Sequence, residues 1–203
     1  MFLSTVVRRC GRSAVRQFSS GVDIKTVSVV GLGSMGHGVA QLCASSGYNV
    51  VAVDINDNVM KHAQQAIEGS LLKLASKKAA KEGTDEEAAK AAAYETLGRI
   101  QMTSDVGAVA DTDLVIEAIV ENLPVKKKFF GELGGIVAPH TILASNTSSF
   151  PITEMAVASN VAERVCGIHY FNPVQLMKLV EVVSTEYTRS DIADAMIDFV
   201  KVS

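Results

Sequence analysis

From residue 26 onward, short runs of β-branched and other apolar residues alternate with stretches whose apolar positions recur every three or four residues. The runs fall at 26–30, 49–53, 100–103, 113–118, 141–145 and 164–170, with a further short one at 178–183 and a helical stretch from about 190 to 200. Runs such as 27–30 and 50–53 are apolar at every alternating position, which predicts strands covered on both faces. Strands that alternate with helices predict a mainly parallel sheet joined by right-handed crossovers. The expected class is α/β, a doubly wound, mainly parallel sheet.

One crossover is long. About 45 residues without a strand signal separate the second and third predicted strands. Within them Val59, Ala63, Ile67, Leu71 and Leu74 form one apolar stripe at helical spacing. A break at Glu82-Gly83 is followed by Thr84-x-x-Glu87, a capping box that opens an Ala-rich second helix. The prediction is a helical hairpin projecting from the sheet between strands 2 and 3. Its Lys73, Lys77, Lys78 and Lys81 read, on pattern alone, as a solvated face.

Composition adds three constraints. The chain of 203 residues, 48% hydrophobic and 20% charged, has the make-up of one substantial domain with a real core. No stretch approaches the roughly 18 consecutive apolar residues of a membrane span. Before Asp23 there is no acid, but there are Arg8, Arg9, Arg12 and Arg16 with Ser4, Thr5, Ser13, Ser19 and Ser20 among scattered apolar residues. That pattern predicts a mitochondrial presequence over 1–22, cleaved somewhere around 16–23, and a folded domain over 23–203. Setting those four arginines aside leaves 15 Lys and Arg against 22 Asp and Glu, which argues against nucleic acid as a partner. Cys10, Cys43 and Cys166 have no paired spacing, so neither a disulfide framework nor a metal site is expected, only small core residues.

The candidate chemistry starts at the first predicted strand, which runs into Gly31-Leu32-Gly33-Ser34-Met35-Gly36 and then a helix. A G-x-G-x-x-G between strand and helix is the Rossmann dinucleotide fingerprint in its required setting. Gly31 permits the tight turn, Gly33 lets a pyrophosphate approach the backbone, and Gly36 allows close helix–strand contact. The helix N-terminus offers N–H groups to the phosphates. Asp54, at the end of the second strand, is placed to accept hydrogen bonds from the adenosine ribose, and no Arg follows within 55–61 to receive a 2′-phosphate. NAD is therefore the expected cofactor rather than NADP. His37 beside the loop reads as a partly exposed helix residue.

Two segments beyond later strand ends are unusual for mere structure. Ala144-Ser145-Asn146-Thr147-Ser148-Ser149 follows one strand, and His169-Tyr170-Phe171-Asn172-Pro173 closes another. Ligands in open α/β sheets sit outside the carboxyl ends of the strands, so both segments point into one crevice. Glu181 stands among apolar neighbours and needs a partner if buried. No nucleophile elbow surrounds Ser148, which discounts a hydrolytic triad. Alongside NAD the natural chemistry is alcohol oxidation, with an imidazole taking the hydroxyl proton and a carboxylate holding the imidazole.

The motifs Val29-Val30-Gly31-Leu32-Gly33-Ser34-Met35-Gly36, Val115-Ile116-Glu117-Ala118-Ile119-Val120-Glu121-Asn122, Ala144 to Ser149, His169 to Val174 and Met177-Lys178-Leu179-Val180-Glu181-Val182 together resemble the short-chain L-3-hydroxyacyl-CoA dehydrogenases of mitochondrial fatty-acid β-oxidation, over 24–200. The resemblance implies roles. His169 matches the catalytic base, Glu181 the acid that orients it, and Ser148 the serine that hydrogen-bonds the substrate oxygen near the nicotinamide. Glu121, Lys126 and Asn172 match positions lining the NAD site. Ser70 and Lys77 match positions that contact CoA, whose phosphates a lysine can pair with. It also implies an acyl-CoA substrate, the mitochondrial matrix, and a homodimer formed through an all-helical C-terminal domain. That domain, which supplies another active-site Asn and much of the acyl pocket, is not among these 203 residues. Two functions follow as expectations: NAD-dependent oxidation of (S)-3-hydroxyacyl-CoA to 3-oxoacyl-CoA, or an NAD-binding unit without turnover. Dehydrogenation of a free hydroxy acid is a third, against which Ser70 and Lys77 argue.

Overall fold

A computed structural model describes residues 3–9 and 22–202. One eight-stranded sheet carries the fold, with strands in the order β1-β8-β7-β6-β5-β2-β3-β4. In chain order these are β1 (Leu3–Arg8), β2 (Thr26–Val30), β3 (Asn49–Val53), β4 (Ile100–Thr103), β5 (Leu114–Glu117), β6 (Ile142–Ser145), β7 (Val165–Tyr170) and β8 (Leu179–Ser184). Strands β2 to β7 are parallel to one another, and β8 runs antiparallel to both β7 and β1. The strand order reverses between β2 and β5, which opens a crevice at their carboxyl ends.

Among the described residues six α-helices complete the layers: α1 (Gly36–Ser45), α2 (Asp57–Glu82), α3 (Glu86–Leu97), α4 (Leu123–Ile136), α5 (Ile152–Ser159) and α6 (Ser190–Val202). Alternate residues of each strand feed two cores. Val27, Val29, Ile116 and Ala144 pack with Val39, Ile67, Met196 and Phe199 of α1, α2 and α6. Val30, Val115 and Leu143 pack with Phe130, Leu133 and Met155 of α4 and α5. The doubly wound expectation holds, and the core strands lie within one residue of their predicted bounds. Cys43 and Cys166 are buried core residues whose thiols burial pushes up to about 12; Cys10 lies outside the described residues.

The projecting hairpin is α2 and α3, which pack on each other. Its apolar stripe ends earlier than the spacing predicts. Ala63, Ile67 and Leu71 are buried, whereas Leu74 is 44% exposed, because α2 has by then left the sheet. The helix stops at Gly83, whose φ of +64° suits the left-handed cap that glycine adopts without a Cβ penalty. The expected capping box at Thr84 is corrected. Asp85 is the N-cap, its side chain accepting from the Glu87 N–H at 3.1 Å, while the Thr84 N–H is drawn back to the Ala79 carbonyl.

The amino-terminal segment, expected as a leader over 1–22, contributes structure in its first residues. Val7 is buried and Val6 exposed, the alternation of a half-covered strand, and β1 pairs along the whole of β8. A sheet edge offers unpaired backbone groups, and an apolar–polar alternating segment satisfies them. Arg9 follows, with Nη1 donating to the Val174 and Met177 carbonyls at 2.9 and 3.0 Å. Residues 1–2 and 10–21 of the expected leader lie outside the described residues.

Candidate functional site

The turn after β2 makes the first wall. Gly31 has φ +91°, and a Cβ there would sit 2.6 Å from the Ala118 carbonyl oxygen beyond β5. A Cβ at Gly36 would lie 1.7 Å from the Gly31 carbonyl oxygen, so only glycine lets α1 begin directly behind the turn. Gly33 has open space where its Cβ would be, on the side that faces the crevice. No acid occupies the first turn of α1, leaving its positive end for an anion.

Asp54 lies just past β3 and joins this wall. Its Oδ2 accepts from the Leu32 N–H at 2.8 Å and its Oδ1 from the Asn56 N–H at 2.9 Å. The carboxylate is thereby held at the crevice with further lone pairs to offer hydroxyl donors. The fit to a dinucleotide is close on these observations: a turn with no room for a Cβ at Gly31 or Gly36, a helix start with no acid in its first turn, and a carboxylate held just past the second strand of the fingerprint. The Leu32 side chain is 2% exposed in the core, and Leu32 enters this wall through its N–H, which donates to Asp54.

A cavity of about 1000 Å³ opens here. Gly31, Gly33, Ser34, Met35, Asp54, Glu121, Lys126, Ser148, His169 and Asn172 all line it, so ten of the residues singled out from the sequence converge on one space. Apolar side chains absent from those expectations, Val106, Val125 and Phe129, also line it. Their signal was weak, since an apolar helix position reads as core.

The far wall is built by strand register. His169 and Glu181 stand directly opposite each other in the antiparallel β7–β8 pair. Cross-strand partners share a face at about 5 Å between Cβ atoms, and here Nδ1 of His169 meets Oε2 of Glu181 at 2.7 Å. Their side chains are 22% and 33% exposed, so the pair is sheltered yet reachable. The Phe171 ring packs on the imidazole with centroids 4.5 Å apart. Against an ionised carboxylate Nδ1 carries the proton, which leaves the Nε2 lone pair free to act as a base. Asn146 ties the neighbouring strand ends together, its Oδ1 accepting from the Tyr170 N–H at 2.9 Å. Ser148 follows on an exposed turn, its Oγ 3.2 Å from that of Ser149.

Between the two walls lies a buried ion pair that the sequence reading passed over. Glu117 and Lys126 are 0% and 1% exposed, with Nζ 2.5 Å from Oε1. The Lys126 ammonium also lies 3.2 Å from Glu121, whose other oxygen accepts from the Thr147 hydroxyl. An acid closing an apolar strand always needs a partner when buried; that signal was present at Glu117 as it was at Glu181.

Ser70 and Lys77 are not brought to the cavity wall. Ser70 sits on α2 with Oγ accepting from Nε2 of Gln41 at 2.9 Å, and Lys77 is exposed two turns farther along the helix. His37 is a partly exposed helix residue as expected, with Nδ1 2.6 Å from the Gly33 carbonyl oxygen.

Comparison with known proteins shows the family and the fold. Residues 26–202 match the family described as 3-hydroxyacyl-CoA dehydrogenase, NAD binding domain. The chain is 45% identical over 200 residues to the mitochondrial hydroxyacyl-coenzyme A dehydrogenase of Sus scrofa, covering 94% of this chain and 63% of that protein. To the human protein of the same name it is 44% identical over 183 residues, 89% of this chain and 57% of that one. Among solved structures, (S)-3-hydroxybutyryl-CoA dehydrogenase from Ralstonia eutropha superposes with a TM-score of 0.78 at 38% identity, over 89% of this chain and 61% of that one. The Escherichia coli 3-hydroxybutyryl-CoA dehydrogenase gives 0.79 at 36% identity, over 89% of this chain and 36% of that one. The chain thus spans 63% and 57% of the two mammalian relatives. It belongs to the 3-hydroxyacyl-CoA dehydrogenase family, of which it carries the NAD-binding domain.

Proposed function

We propose that this chain is the cofactor-binding and base-bearing part of an enzyme that oxidises (S)-3-hydroxyacyl-CoA to 3-oxoacyl-CoA in fatty-acid β-oxidation. One observation carries the reading: the His169–Glu181 pair opens onto the same cavity as the glycine turn, Asp54 and Ser148. NAD, when bound, supplies the hydride acceptor. Gly31, Gly33, Ser34 and Met35 hold its phosphates, Asp54 its ribose, and Glu121, Lys126 and Asn172 the remainder of the dinucleotide. Neutral His169 takes the 3-hydroxyl proton on Nε2, and Glu181 orients the ring and stabilises the imidazolium that results. The Ser148 hydroxyl hydrogen-bonds the 3-oxygen as it becomes a carbonyl. Ser70 and Lys77, on the hairpin, meet the CoA moiety outside the cavity; the exposure of Lys77 supports a phosphate contact.

The relatives named mitochondrial support an address in the mitochondrion, and the arginine-rich, acid-free start supports a presequence that delivers the chain to the matrix. Cleavage near residues 16–23 removes β1 and frees the β8 edge. Dimer formation belongs, on this reading, to the helical domain that the resemblance implies.

The test is NADH oxidation with acetoacetyl-CoA by the 203-residue chain, with His169→Gln as control. Turnover well above the control supports the proposal; turnover unaltered by the substitution overturns His169 as the base. A second reading, an NAD-binding unit without turnover of its own, is favoured by the uncovered apolar side chains in the segment that follows Asn172, Leu176 at 68% and Leu179 at 39% exposure. NADH binding without oxidation selects it.

A further inference from the structure

Glu117 is not among the residues that line the cavity, yet it meets two strands and a helix that build it. It is the last residue of β5, beside Val30 of β2 on one side and Ser145 of β6 on the other. The next residue of β2 leads into the glycine turn; the next of β6 lead to Ser148. Three donors fill its carboxylate. Lys126 Nζ and the Ile119 N–H reach Oε1 at 2.5 and 2.8 Å, and the Ser145 hydroxyl reaches Oε2 at 2.6 Å.

From there a chain of charged contacts runs outward. Lys126, in the first turns of α4, carries its ammonium to within 3.2 Å of Glu121, which is 43% exposed at the cavity. Glu121 accepts from the Thr147 hydroxyl, and Thr147 Oγ1 in turn accepts from the N–H groups of Ser149 and Phe150 at 3.3 and 3.2 Å. These contacts bracket Ser148. A buried ion pair adds little net stability over a well-packed apolar pair, since desolvation consumes most of the attraction. What it does add is a fixed position for the ammonium, because only one orientation satisfies both carboxylates and the rigid strand end.

We propose that Glu117 is a positioning residue: it anchors Lys126, and through Lys126 sets Glu121 and the Thr147–Ser149 turn against the cofactor. This rests on the cofactor reading but extends it to a residue that touches neither cofactor nor substrate. In Glu117→Gln the ammonium loses its buried anion and keeps a charged partner only in Glu121, on the open side; it turns outward, and Glu121 leaves Thr147.

The experiment uses the full chain, Glu117→Gln, Lys126→Met and the double variant, with NADH affinity read by fluorescence. The lysine ammonium 15N signal of Lys126 is read by NMR without cofactor. The expected results are roughly tenfold weaker NADH binding in Glu117→Gln, no further loss when Glu117→Gln is added to Lys126→Met, and disappearance of the solvent-protected ammonium signal in Glu117→Gln. Additive losses overturn the proposal, since Glu117 then acts without Lys126. So does a protected ammonium signal that survives in Glu117→Gln. If Glu117→Gln fails to fold, the apolar pair Glu117→Leu/Lys126→Leu replaces it: it is expected to fold and to bind NADH no better than Lys126→Met, and binding as tight as the unaltered chain's overturns the proposal. The NMR signal separates the two readings: its presence with no NADH binding by the unaltered chain contradicts the cofactor reading and leaves the anchoring intact.

Discussion

Two acid–base pairs stand at the carboxyl end of the same sheet, and they differ in one respect on which the work proposed for each depends. Glu117–Lys126 and His169–Glu181 are both direct contacts, at 2.5 and 2.7 Å. The first is sealed, 0% and 1% exposed, between a strand end and a helix; the second is 22% and 33% exposed, across two antiparallel strands. A sealed pair cannot pass a proton to a substrate, but it holds an ammonium where helix and strands agree it must be. A half-open pair can release and recover a proton while its partner carboxylate keeps the ring aimed. Burial, more than distance or residue type, separates holding from transferring.

The comparison breaks most visibly at the transferring pair. His169→Gln is expected to cut turnover with acetoacetyl-CoA by about 10²–10⁴-fold while the melting temperature stays within a few degrees; a small loss of turnover places the base elsewhere. At the holding pair the expected damage is to the fold. Lys126→Met leaves the Glu117 carboxylate buried without its cation, at a cost of about 3–5 kcal/mol measurable by urea unfolding. Cost near zero there makes the pair ornamental. Ser145→Ala removes one neutral donor from the same carboxylate and is expected to cost about 1–3 kcal/mol in the same assay, an intermediate value that sharpens how much of the anchoring is charge.

The smallest effect is expected from a carboxylate at the opposite, amino end of the sheet. Partial burial pushes Asp113 upward, but hydrogen bonds from the Lys25 N–H and the Thr26 hydroxyl and N–H outweigh it and hold the group below the usual carboxylate range. Its folded value being depressed, the stabilisation is present above the unfolded value of about 3.9 and is lost as pH falls through the folded one. Asp113→Asn is therefore expected to cost about 1 kcal/mol at pH 7, with the difference from the unaltered chain closing in acid. A gap that persists at pH 2 denies the assignment.

Much of this was legible in the sequence where the cause is local. The central strands β2, β5, β6 and β7 were readable because covered strands are apolar on both faces, and the glycine turn because Gly31 and Gly36 have no substitute. Asp85 displaced Thr84 as the cap through a one-residue choice that spacing alone does not settle. Features made by distant pairing were harder. β1 exists only because β8 presents an edge about 175 residues away in the chain, and its arginine-rich surroundings favoured reading it as a leader. His169 and Glu181 were both visible as residue types, but their contact is a matter of β7–β8 register. Glu117 was quoted within a motif and given no task, although an acid closing the run Leu114 to Ile116 needed a partner for the same reason as Glu181. Ser70 and Lys77 came from resemblance alone, and neither reaches the cavity wall.

The division of labour between the two pairs is tested most directly by one titration, NADH fluorescence of His169→Gln beside Lys126→Met under conditions where both are folded. The account predicts that His169→Gln binds NADH as the unaltered chain does and that Lys126→Met binds it on the order of tenfold more weakly. Equal affinities in the two variants, or weaker binding only in His169→Gln, would contradict it.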